Sequence, residues 1–85
     1  MQVDKTSFTP LYKQLFFIIC QRIQNGSLPL GSQLPTQKEL AREYHVSLIV
    51  VKQAWSELIN AGIISSQRGS GSVVCAVPEG VNYGH

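Results

Sequence analysis

Apolar residues fall at helical spacing along two long stretches of the chain and a shorter third, and then in two extended runs around a glycine-rich turn. Leu11, Leu15, Ile18, Ile19 and Ile23 lay a stripe along one side of a first helix. Pro10 suits the first turn of that helix, since its missing N–H would find no intrahelical partner there. Gly26 can stop the helix just after Asn25. Tyr12, Phe16, Phe17 and Cys20 widen the apolar surface beyond the arc that one small core requires. Either these side chains fill the core or sit exposed singly, or they form a dimer contact or a contact to a further C-terminal segment.

A second helix is expected to start near Thr36, because Thr36 followed three residues on by Glu39 has the form of a capping box, with each side chain satisfying a backbone N–H. It loses its pattern at Tyr44. Ser47 then offers an N-cap for a third helix, in which Val51, Ala54, Trp55 and Leu58 recur on one face. Gly62 ends it. Ile63 to Arg68 and Ser72 to Ala76 look extended and flank Gly69-Ser70-Gly71. Between the first two helices, Ser27 to Gln33 holds Pro29 and Gly31 and reads as a loop ending in a short strand that pairs with the hairpin. The expected fold is α+β, mainly α: a winged helix-turn-helix of three helices and a two- or three-stranded β-wing.

Composition narrows the class without deciding it. With 85 residues, 44% of them hydrophobic and 14% charged, the chain supports one small folded domain. The expected organisation is a flexible arm over residues 1–9 with Phe8 docking on the domain, a folded unit over 10–76, and a linker or tail over 77–85. A net charge of +2 neither demonstrates nor excludes nucleic-acid binding, so the placement of basic residues has to decide. Cys20 and Cys75 lack metal-site spacing and read as small core or surface residues. No signal-peptide arrangement opens the chain, and the longest apolar run, Leu15 to Cys20, is too short to span a bilayer. No catalytic grouping has motif spacing. The expectation is a cytoplasmic protein that is not an enzyme and carries no cofactor or metal.

Leu34-Pro35-Thr36, Lys38-Glu39-Leu40-Ala41, Val46-Ser47, Val51-Lys52, Ala54-Trp55-Ser56-Glu57-Leu58, Ala61-Gly62 and Arg68-Gly69-Ser70-Gly71-Ser72-Val73-Val74 resemble the DNA-binding domain of the GntR family of bacterial transcription regulators. Pro10 to Leu15 and Gly26 to Gly31 resemble the family's first helix and the loop after it, so the likeness covers residues 8–76. Ile49, Lys52 and Trp55 together are similar to the short, YtrA-like members. The resemblance implies a sequence-specific regulator of double-stranded DNA. It would act as a homodimer, a repressor that an effector releases or tightens through a C-terminal region, with the third helix in the major groove and the wing in the minor groove.

Under that resemblance the residues expected at DNA are Thr36, Lys38, Ser47, Leu48, Ile49, Lys52, Arg68, Gly69, Ser70 and Gly71. Side chains in the first two turns of the third helix, opposite its core stripe, reach base edges; these are Leu48, Ile49, Lys52 and Ser56. Ser47 caps the helix and presents backbone N–H groups to a phosphate. Lys38 and Lys52 resemble the family's basic contact residues, and Arg68 resembles its wing-tip side chain for the narrow minor groove. Gly69 and Gly71 permit a close backbone approach, although Gly-Ser-Gly also suits a plain hairpin turn. Arg42, Gln37 and Gln53 are second-rank candidates. Glu39, Glu43 and Glu57 are expected to cap helices or form surface pairs, Trp55 and Tyr44 to pack, and His45 to sit in the turn.

One departure matters for the target. Many family members follow the serine that opens the recognition helix with an arginine and threonines, where this chain has Leu48, Ile49 and Val50. A base-reading arginine is missing, and apolar residues in its place suit thymine methyls, so the target is expected to be read partly through A·T steps and DNA shape. From a different class, the alternative is a winged helix that docks a protein partner through its apolar first helix.

Overall fold

A computed structural model describes residues 5–6, 8–67 and 71–77. Its elements are α1 (Leu11–Gln24), α2 (Gln37–Tyr44), α3 (Leu48–Asn60), β1 (Ile64–Gln67) and β2 (Gly71–Val74). The strands pair antiparallel, Ile64 opposite Val74 and Gln67 opposite Gly71. The expected third strand is reduced to one bridge, Gln33 with Val73. The loop before it is tied to β2 by the Leu34 N–H to the Ser72 carbonyl (2.8 Å) and the Val74 N–H to the Ser32 carbonyl (2.9 Å).

Local signals account for the helix ends. The Pro10 carbonyl accepts from the N–H groups of Lys13 and Gln14, both at 3.1 Å, so Pro10 sits one position before α1. Past Asn25, Gly26 takes φ +88°, a conformation that costs a residue with a Cβ about 1–2 kcal/mol. Thr36 Oγ1 accepts from the Glu39 N–H at 3.1 Å, while the Glu39 carboxylate accepts from the Thr36 hydroxyl at 3.2 Å; the box closes side chain to side chain instead of onto the Thr36 N–H. Ser47 Oγ accepts from the Val50 N–H at 3.3 Å and opens α3. Between α2 and α3 the chain turns through His45 at φ 56°, a left-handed position filled without glycine.

The core is drawn from every element. Leu15, Ile18, Ile19, Cys20 and Ile23 of α1 pack with Leu40 and Tyr44 of α2, the Val51/Ala54/Trp55/Leu58 stripe of α3, and Ile64 and Val74 of the ribbon. Two expectations are corrected. Leu11 is only half-buried, and Gln14 takes the buried place on the first turn, its amide donating to the Thr9 carbonyl at 2.8 Å and so losing no hydrogen bond on burial. Phe8 does not dock; it is fully exposed. The wide apolar surface of α1 is largely absorbed by the domain itself: Cys20 is buried, Tyr12 and Phe16 pack against the core, and Phe17 meets Phe16 edge to face at 5.4 Å.

Candidate nucleic-acid interface

Where α2 begins, α3 begins and the ribbon crosses, the surface folds into an open cleft of about 460 Å³. Thr36 and Lys38 stand on one wall, Leu48 and Lys52 on another, and Ser66 and Gly71 on the ribbon side. Five of the ten residues expected at DNA, Thr36, Lys38, Leu48, Lys52 and Gly71, therefore converge on one feature. Ser47 and Ile49 are exposed beside it, Ile49 at 74%. Arg68, Gly69 and Ser70, and positions 78–85 of the expected 77–85 tail, lie outside the described residues.

The ribbon is held against α3 by a buried contact. Trp55, on the core stripe, turns its indole N–H toward β2 and donates to Ser72 Oγ at 2.8 Å; Ser66 Oγ lies 3.4 Å from the same hydroxyl. Both Trp55 and Ser72 are more than nine-tenths buried. The bond ties β2 to α3 beside the cleft that Lys52 also lines. Sequence reasoning placed Trp55 in the core and overlooked Ser72. A buried indole N–H that demands a partner was the available signal. Gly71 has a structural need of its own: its φ is +78°, and a Cβ there would meet the Gln33 side chain at 3.1 Å. Gln33 was another omission.

Charge pairing separates this cleft from the surface of α1. Lys13 of α1 lies 3.9 Å from Glu57, and Arg22 of α1 lies 3.7 Å from Glu43 while donating to the Tyr44 hydroxyl at 3.3 Å. Glu57 and Glu43 thus form surface pairs and Glu39 caps α2, as expected. Lys38, Arg42 and Lys52 are exposed and form no ion pair among the described residues. A second hollow, about 520 Å³, lies between α1 and α2, but its one cation is the Arg22 already paired with Glu43. Size alone would favour that hollow; unpaired charge favours the cleft.

The outward face of α3 is equally clear. Ile49, Lys52, Gln53 and Ser56 are all exposed, spaced as one face of a helix and lying opposite the core stripe. Leu48 departs from the expected outward set, being half-buried in the cleft wall next to Trp55. The N–H groups at the start of α3 and its helix dipole favour an anion at Ser47. Unpaired lysines, helix-end amides and a polar face together suit a polyanion with readable edges. Among the described residues no three His, Cys, Asp or Glu side chains group as a metal site, and no helix is long and apolar enough to cross a membrane.

Known proteins match this arrangement. The signature of "Bacterial regulatory proteins, gntR family" covers residues 11–74. The HTH-type transcriptional repressor STM4068 of Salmonella typhimurium is 93% identical over the whole chain, which spans 35% of that repressor's length. YtrA from Sulfolobus acidocaldarius, a GntR-family transcription factor, superposes with a TM-score of 0.80 at 35% identity, covering 87% of this chain and 78% of that one. The AraR DNA-binding domain, solved in complex with its operator ORR3, superposes with a TM-score of 0.73 at 27% identity, covering 88% of this chain and 93% of that one.

Proposed function

The chain belongs to the gntR family of bacterial regulatory proteins, and from that premise we propose that it is the DNA-binding portion of a transcriptional repressor. The observation that carries this reading is the convergence of two lysines, Lys38 and Lys52, neither ion-paired among the described residues, on the cleft between α3 and the ribbon. In the proposed complex α3 lies in the major groove, N-terminal turn first. Lys52 reaches a phosphate or a guanine acceptor, Lys38 a phosphate, and the Ser47 amides a further phosphate. The proposed minor-groove contacts are Arg68, Gly69, Ser70 and Gly71, and Thr36 lines the approach. Repression is supported by the relative STM4068, named a repressor, and operator binding by AraR, whose DNA-binding domain is solved on its operator.

The finer parts of the reading are a homodimer in the full-length protein, a small-molecule effector taken by a region beyond the wing, a cytoplasmic location and no enzymatic role. The protein-docking alternative is not favoured, since α1 packs most of its apolar surface into its own domain. The test is selection from a random-duplex library at two salt concentrations, with wild type, Lys52→Ala and Arg68→Ala. Enrichment of a defined motif, lost or weakened in both variants, with affinity falling steeply as salt rises, supports the reading. Binding that neither salt nor substitution changes would overturn it.

A further inference from the structure

Three aliphatic residues open α3, and the fold gives them different surroundings. Leu48 is half-buried in the cleft wall beside Trp55. Val50 is half-buried, and its N–H is the one that Ser47 caps. Ile49 alone stands clear, 74% exposed on the first turn. At about 100° per residue it points almost opposite the Val51/Ala54/Trp55/Leu58 stripe, with Lys52 and Gln53 one turn further along the same face. Ile49 therefore adds nothing to the core, and a branched apolar side chain in water at this place asks for an apolar partner. The floor of the major groove has one such group, the C5-methyl of thymine, set beside the acceptors that a lysine one turn away can reach. Resting on the DNA-binding reading above, we infer that Ile49 is a specificity-determining residue that packs on a thymine methyl, so that an A·T pair is required where the first turn of α3 meets the bases.

The probe is the duplex enriched by the selection above, remade with deoxyuridine at each thymine in turn, which deletes one methyl and keeps the base pairing. Wild type binds about fourfold more weakly at one or two of these positions, the worth of one buried methyl. Ile49→Ala binds the thymine duplex more weakly and no longer distinguishes uracil from thymine at those positions, whereas Ile49→Val keeps part of the distinction. Lys52→Ala keeps the thymine preference while the slope of log affinity against log salt falls by about one. Circular dichroism of Ile49→Ala matches wild type, because the side chain lies outside the core. Uracil tolerated at every position by wild type, or discrimination retained by Ile49→Ala, overturns the inference and leaves DNA binding standing. A library that enriches no duplex overturns both.

Discussion

The first and third helices are nearly equal in length, 14 and 13 residues, and pack against each other, yet they divide their surfaces in opposite ways. α1 turns most of its circumference toward the domain. Six of its residues are buried, only Gln21 and Gln24 are exposed, and both its cations are paired to acids on other helices. α3 buries one stripe of four and leaves Ile49, Lys52, Gln53 and Ser56 uncovered on the other side, with no acid among the described residues paired to its lysine. A helix that serves the fold neutralises and covers what it carries, while a helix that serves a ligand keeps one face in the core and one free. Lys52 has no structural duty comparable with that of Lys13, and this is the physical ground for assigning it to a partner.

The sharpest way to break that contrast is to exchange the two kinds of site. Ile19→Ala in α1 deletes a side chain with no exposed surface and is expected to cost about 2–5 kcal/mol of stability in a urea titration. Ile49→Ala should stay within about 0.5 kcal/mol of wild type in the same titration. Between these two falls Ser72→Ala, which strands the Trp55 N–H in the core at a cost of about 1–3 kcal/mol. DNA affinity should fall further than stability there, because the wing loses its register with α3, and a binding isotherm beside a melt separates the two. Ser47→Ala removes the α3 cap for about 1 kcal/mol and, by loosening the amides offered to a phosphate, also weakens duplex binding.

The smallest expected effect concerns the cysteines. Burial pushes the Cys20 thiol from 9.0 up to about 11, with a backbone hydrogen bond pulling weakly the other way, while Cys75 is exposed. Native protein should therefore consume one equivalent of a thiol reagent and unfolded protein two. Because the folded pKa is the higher, the native state holds its proton longer: the contribution is complete below about pH 9 and is lost as pH rises through about 11. Melts at pH 8 and pH 10 should differ in that direction.

Much of this was legible in the chain because the signals are local. Thr36 with Glu39, Ser47 and Gly26 mark helix ends by chemistry that acts within one turn, and the stripe in α3 was read residue by residue. Long-range geometry was not legible. That Gln14 displaces Leu11 depends on where the Thr9 carbonyl falls, and no periodicity reports it. The Trp55–Ser72 bond joins residues that meet only after the ribbon folds back, and although His45 sits in the turn as expected, nothing local announces its left-handed φ, a conformation that glycine usually supplies. Leu48 was the exception among the local readings: at about 100° per residue it lies within about 20° of Trp55, two turns on, so its own helix angle already placed it beside the core stripe, where the cleft wall half-covers it.

If the cleft and the free face of α3 are the working surface and α1 is not, backbone amide NMR of the chain titrated with the selected duplex will show it. The expected result is that shifts cluster at Lys38, Ser47, Ile49, Lys52, Gln53 and the ribbon, while Tyr12, Phe16 and Phe17 stay still. Shifts concentrated on α1, with Ile49 and Lys52 unmoved, would contradict it.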